Sequence, residues 1–145
     1  MAEVRGPQGR THILQTLETR LRQLQFEVVT IAWSKLVLMD SPGITAPVVL
    51  TGRYRSNWVI GVGSPNTSTP GSGGTPGAPS AAPSAPSFPA MQLGQTVYIT
   101  NSLPYSGRIE RGHSRKAPQG VVGPVVRDLQ QDLGGIVEQI ASGRP

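Results

Sequence analysis

The residues of this chain whose types and spacing could carry out chemistry lie in one stretch, from Asn101 to Gly120. Glu110 and His113 stand three residues apart there and could act as a general acid and a general base. The other charged side chains of the stretch are all basic: Arg108, Arg111, Arg115 and Lys116. Such a cluster is typical either of a catalytic or phosphate-binding loop, or of an exposed segment that contacts another subunit.

The rest of the chain offers little to complete a catalytic site. There is no cysteine, His12 and His113 are the two histidines, and no nucleophile, phosphate-loop or zinc-protease motif is present. We therefore predict no enzyme activity, no cofactor and no metal site, and interpret Glu110 and His113 as a loop ion pair or a subunit contact. A small hydrolase that uses these two residues is the alternative.

The net charge of +5 is placed unevenly. Between Arg53 and Lys116 there are six basic residues and one acid, Glu110, whereas the flanking segments are almost balanced. A basic middle region attracts phosphates or an acidic protein surface. Tyr54, Trp58 and Tyr105 could stack on bases there, so nonspecific DNA binding stays open, although Trp58 at a strand start is more typical of a core residue.

The apolar spacing predicts an α+β fold within a single domain, residues 1–145. A long N-terminal helix, Thr11–Met39, and a C-terminal helix, Gly120–Ala141, are expected to pack on a small, mainly antiparallel β-sheet. The β-branched run 26–33 would also suit a strand, but the helical spacing continues through it. The strands are expected near residues 58–62 and 95–100, and the Gly134-Gly135 pair is expected to allow close packing against the first helix.

A long Pro/Ser/Gly-rich loop, residues 64–90, is inserted between the two strands. It holds seven of the 14 prolines, no charge and one large apolar residue, Phe88. This composition buries too little surface to order the segment by itself, so something outside the fold is expected to hold it. We predict a strap that lies on another subunit.

No segment of the chain predicts export or membrane insertion. The first ten residues, MAEVRGPQGR, lack the apolar core of a signal peptide, and no apolar run approaches the length that spans a bilayer. We expect a soluble protein, made in a cytoplasm and without a membrane partner.

Two short stretches of the chain match the sequence motifs of a known protein family. The first follows the long helix and matches at Thr51, Gly52, Tyr54, Arg55 and Ser56. The second follows the second strand and matches at Asn101, Pro104, Tyr105, Ile109, Glu110 and Gly112. Ser106 departs from the alanine common at its position. In these positions the chain resembles the neck, or head–tail joining, proteins of long-tailed bacteriophages, and the resemblance leaves out the loop 64–90.

The resemblance implies a structural virion protein at the head–tail junction, assembled in the host cytoplasm. It implies a closed ring, expected to be a hexamer, between portal, adaptor or head-closure proteins and the tail terminator or tail tube, with genomic DNA passing through the lumen without sequence specificity. A tail terminator or minor tail protein is the alternative within this class. The subunit or partner interface is predicted at Arg53, Arg55, Arg108, Glu110, Arg111, His113, Arg115 and Lys116.

The two motifs also lead to local predictions. Asn101 and Pro104 are expected to turn the chain after the strand, Tyr105 to pack its ring inward with its hydroxyl bonded to the backbone, and Ile109 to enter the core. Glu110 is expected to pair with an arginine, Arg55 or one from a neighbouring copy. Across the ring contact, the basic loop would face acidic residues of the C-terminal helix: Asp128, Asp132 and Glu138.

Overall fold

The structure, a computed structural model, describes residues 6–142, and of residues 6–8, 140 and 141 it describes the backbone alone. Its elements are α1 (Gly6–Leu38), a one-turn 3-10 helix (Arg55–Asn57), β1 (Val59–Val62), β2 (Val97–Thr100), α2 (Ser106–Glu110) and α3 (Val122–Ala141). The predicted α+β class is confirmed: two long helices accompany a two-stranded antiparallel sheet. Three parts of the sequence predictions lie outside the described residues. They are both ends of the predicted domain, the first five residues of the segment searched for a signal peptide, and the side chain of Ile140.

Helix α1 is continuous, as predicted, through the β-branched run, and it begins before the predicted Thr11. It ends because Met39 adopts a left-handed conformation, with φ of 51°, while its N–H still donates to the carbonyl of Lys35 at 2.9 Å. Pro42, which cannot continue a helix, follows three residues later. On the exposed surface of the helix, Arg22 and Glu18 form an ion pair, with Arg22 Nη2 2.6 Å from Glu18 Oε1.

The predicted hairpin is also confirmed. Strands β1 and β2 pair antiparallel, with Val59 opposite Thr100 and Val62 opposite Val97. The hairpin is tied to α1 by the indole N–H of Trp33, which donates to the carbonyl of Trp58 at 3.0 Å. The Trp58 side chain is buried, as expected of a core residue.

The core lies where the second half of α1 meets the hairpin and the first turn of α3. Its members come from α1, β1, α2 and α3 and from the segments that connect the elements. They are Val29, Trp33, Leu36, Val37, Met39, Tyr54, Trp58, Ile60, Leu103, Ile109, Ala117, Val121 and Val125.

Two features of the long helices differ from what the sequence pattern suggests. Leu14 and Leu17, which belong to the apolar stripe of α1, are 64% and 51% exposed, because the core reaches only as far as Val29. Gly134 and Gly135 do not mark close packing: both are exposed, and a methyl group added to either would meet no atom within 4 Å. The N-terminal half of α1 and the C-terminal half of α3 therefore extend away from the core.

Candidate functional site

The two stretches that carry the resemblance meet in space, although about 45 residues separate them in the sequence. The side-chain amide of Asn101 donates to the carbonyl of Tyr54 at 2.8 Å. The amide oxygen of the same side chain accepts the N–H of Leu103 at 3.3 Å, which turns the chain after β2 as predicted. Asn101 thus fixes one motif against the other.

The first motif forms a compact turn because its own side chains bond its backbone. Gly52 has φ of 79°, a left-handed conformation that suits glycine. The hydroxyl of Ser56 donates to the carbonyl of Gly52 at 2.7 Å, and the buried amide of Asn57 donates to the carbonyl of Arg53 at 2.7 Å. Asn57, which no sequence pattern singled out, is fully buried and is the hub of this turn.

Part of the Pro/Ser/Gly-rich loop is docked on this turn. Gly71 exchanges two hydrogen bonds with the Asn57 amide, at 2.8 and 3.0 Å. The N–H groups of Gly74 and Ser80 both donate to the carbonyl of Thr51, at 2.6 and 2.9 Å. Residues 71–80 are therefore held by their own fold, and the expectation that something outside the fold must hold the loop is wrong for this part. Contact of the loop with another subunit stays a prediction.

Glycine is needed where the loop meets the turn. A methyl group on Gly52 would run into Ser80, and one on Gly71 would lie 2.5 Å from the Cβ of Ser56. The loop backbone can therefore approach closely only because side chains are absent at these positions. Arg55 adds to the contact, since its guanidinium donates to the carbonyl of Ser80 at 2.5 Å.

A depression of about 590 Å³ opens beside the docked turn and contains members of both motifs. Its walls are mainly apolar, and exposed Leu50 and Arg53 are among its lining residues. Burial raises the pKa of Tyr54 and that of Tyr105, the latter partly opposed by the charge of Arg53. Both phenols therefore stay protonated at neutral pH. The Tyr105 ring packs against the core as predicted, whereas the predicted bond from its hydroxyl to the backbone is not among the hydrogen bonds of residues 6–142.

Glu110 caps the start of α3 and does not form the predicted pair with Arg55. Pairing with an arginine of a neighbouring copy stays a prediction. The Glu110 carboxylate accepts the N–H groups of Val121, Val122 and Gly123 at 3.0, 2.9 and 3.1 Å. These are groups that a helix leaves without internal partners at its N-terminus. The first turn of α3 contains no acidic residue, so the distant Glu110 supplies its negative charge.

The acid–base pair imagined for Glu110 and His113 has no structural support in this geometry. The Glu110 carboxylate is directed to α3, while His113 is exposed and its backbone N–H donates to the carbonyl of Arg108 at 3.2 Å. No hydrogen bond joins the two side chains within residues 6–142. The stretch is also not a plain loop, because residues 106–110 form α2 and Ile109 enters the core as predicted.

The basic side chains predicted at an interface divide into two groups. Arg55 is half-buried and bound to the loop. The others are exposed and form no ion pair with an acid in the part of the chain that the structure describes: Arg53, Arg108, Arg111, Arg115 and Lys116. Tyr54 and Trp58 are buried at 5% and 6% exposure, so neither is available to stack on a base.

The acidic residues predicted to face a neighbour's basic loop are largely engaged within the chain. Lys35 Nζ lies 2.9 Å from Asp128 Oδ2 and 3.1 Å from Asp132 Oδ2, and the Ser41 hydroxyl donates to Asp128 at 2.8 Å. Hydrogen bonds from Lys35 and Ser41 lower the pKa of Asp128, and the two acids raise the pKa of Lys35. Asp128 and Asp132 thus join α3 to α1, whereas Glu138 forms no such ion pair within residues 6–142.

Residues 6–142 hold no group of three or more His, Asp or Glu side chains placed to bind a metal ion. None of the helices in this range has both the length and the apolarity to cross a membrane. Comparison of the chain with protein-family models, with curated proteins and with solved structures finds no match. The site is a hydrogen-bonded unit of two motifs with a largely apolar depression, and Arg53 is the basic residue among those that line it.

Proposed function

We propose that this protein is a structural component of the head–tail junction of a long-tailed bacteriophage. It assembles into a ring, a hexamer by the resemblance, between the portal side and the tail, and the genome passes through the lumen. The chain acts through contacts with copies of itself and with adjoining rings, and makes or breaks no bond.

The observation that carries this proposal is the contact between the two motifs. The stretches that resemble neck proteins were identified separately in the sequence, yet the Asn101 amide joins them at the Tyr54 carbonyl. Both also line one depression, through Thr51, Gly52, Tyr54, Tyr105 and Ile109. Chance matches at two places would have no reason to form a single unit.

The exposed basic side chains support the same role. Arg108 and Arg111 flank the capping Glu110, and neither is compensated within residues 6–142. Unpaired cations at a surface steer an acidic partner and confer orientation more than affinity. An adjoining ring with an acidic face would satisfy them.

The test is to remove the protein from cells infected by the phage that encodes it. We expect DNA-filled heads and complete tails that fail to join, and rescue by the wild-type chain supplied in trans. The double variant Arg108→Glu, Arg111→Glu should rescue poorly, whereas Arg108→Lys, Arg111→Lys, which keeps both charges, should rescue well. Joined, infectious particles without the protein would overturn the proposal.

A second candidate is a nonspecific DNA-binding accessory protein, which the uncompensated basic side chains favour. It predicts that the isolated protein binds any duplex with an affinity that falls steeply as salt rises. The buried Tyr54 and Trp58 weigh against it, since they remove two of the three aromatic rings that could stack on bases. Tight, salt-sensitive duplex binding together with normal particle assembly in the absence of the protein would favour this candidate.

A further inference from the structure

The N-terminal half of α1 presents apolar side chains that nothing within residues 6–142 covers. Residues 10–20 are all exposed, and Ile13, Leu14 and Leu17 are 41%, 64% and 51% exposed. Their spacing of one, three and four residues places them on one side of the helix. We call Ile13, Leu14 and Leu17 the α1 patch.

Helix α3 presents a second apolar surface, which runs along the helix beyond its first turn. Val126 and Val137 are 45% and 60% exposed, and Leu129 and Leu133 between them are half-buried. The last member of the core on this helix is Val125. We call Val126, Leu129, Leu133 and Val137 the α3 patch.

The charges around the two patches are opposite. From residue 6 to residue 24, α1 carries three arginines against one acid, Glu18. Helix α3 carries three acids against one arginine, Arg127, and the acids remain in excess when Lys35, which binds two of them, is included. Two α1 patches placed together would bring like charges into contact, whereas an α1 patch on an α3 patch brings unlike charges together.

We propose that the α1 patch of one copy docks on the α3 patch of the next copy. Both patches are exposed in the same chain, so they do not cover each other within one copy. Because the two patches differ, the contact is heterologous, and its repetition closes a ring when the rotation between copies closes. This inference rests on the proposed ring and replaces the predicted contact through Asp128 and Asp132, which are already bound by Lys35.

The first experiment measures self-association of the full chain by sedimentation. Leu17→Asp, which puts a charge in the α1 patch, should weaken association at least tenfold. The matched control is Thr19→Asp, an exposed position on the opposite side of α1, which should change it less than threefold. Both sites lie outside the core, and circular dichroism verifies that both variants fold.

The second experiment identifies the contact by disulfide trapping, which the cysteine-free chain makes clean. Leu17→Cys and Val137→Cys are made separately and mixed under oxidation. We expect a cross-linked dimer in the mixture and little in either variant alone. Thr19→Cys mixed with Val137→Cys should cross-link at least tenfold less.

The failures of the two proposals are distinguishable. Self-association that Leu17→Asp leaves unchanged, or that yields no mixed cross-link, overturns the α1–α3 contact while the ring stands. A Leu17→Cys dimer formed without the second variant overturns it in favour of an α1–α1 contact. A wild-type chain that stays monomeric at every concentration, free and mixed with purified heads or tails, overturns both.

Discussion

Replacing Glu110 by alanine removes the cap of α3 and leaves three backbone N–H groups without their acceptor. Val122 is exposed, so its N–H regains a hydrogen bond to water. Val121 is fully buried, so its N–H stays unsatisfied, which costs about 1–3 kcal/mol. Loss of the negative charge at the helix N-terminus adds about 0.3–1 kcal/mol. We therefore expect Glu110→Ala to lower the free energy of unfolding by about 2–3 kcal/mol.

The assay is urea unfolding followed by far-UV circular dichroism, with thermal unfolding alongside. A loss of this size lowers Tm by roughly 5–10 °C in a domain of this length. Glu110→Gln keeps one acceptor oxygen and should lose about half as much. Glu138→Ala, which removes an exposed acid from the same helix, should stay within about 0.5 kcal/mol of wild type. Equal stabilities for Glu110→Ala and Glu138→Ala would show that the cap does not stabilise the fold.

Three further predictions concern other contacts. Gly52→Ala should lower the free energy of unfolding by about 2–4 kcal/mol, because it combines a left-handed conformation with a clash against Ser80. Gly77→Ala, at a left-handed position in open space, should lower it by about 1 kcal/mol. The difference between the urea midpoints of the two variants measures the clash. Asp128→Asn should lower the free energy of unfolding at neutral pH. Because the pKa of Asp128 is lowered in the folded state, the difference in this free energy from wild type should be full above the ordinary pKa of 3.8 and should vanish as pH falls through the folded pKa. Urea unfolding at a series of pH values measures the difference. Trp33→Phe removes the indole N–H that donates to the Trp58 carbonyl at 3.0 Å and should cost about 1–2 kcal/mol in the same assay. An unchanged urea midpoint would refute the role of that bond.

Local patterns predicted local structure well. The helical spacing identified α1 through its β-branched run, the alternation identified both strands, and Asn101 turns the chain after β2 as its residue type implies. Each of these features depends on residues that are close together in the sequence. The burial of Ile109 followed from the same local reasoning.

The contacts that the sequence did not reveal join distant residues. Lys35 and Asp128 are 93 residues apart, and no spacing rule connects them. Glu110 had a basic neighbourhood in the sequence, which favoured an arginine partner, but helix geometry brings backbone N–H groups to its carboxylate instead. The exposure of Leu14 and Leu17 did not follow from the sequence, because an apolar stripe shows which face of a helix is apolar but not whether the same chain covers it.

The docking of residues 71–80 relies on main-chain groups of the loop and on the absence of side chains at its glycines. Mutational tolerance along this segment should therefore be sharply uneven. An exposed position such as Ser72 should accept many substitutions, whereas Gly71 and Gly74 cannot gain a side chain without steric conflict. During evolution the backbone conformation of such a segment would be retained while most of its residues changed. Related loops would therefore be recognised by the spacing of a few glycines rather than by overall sequence identity.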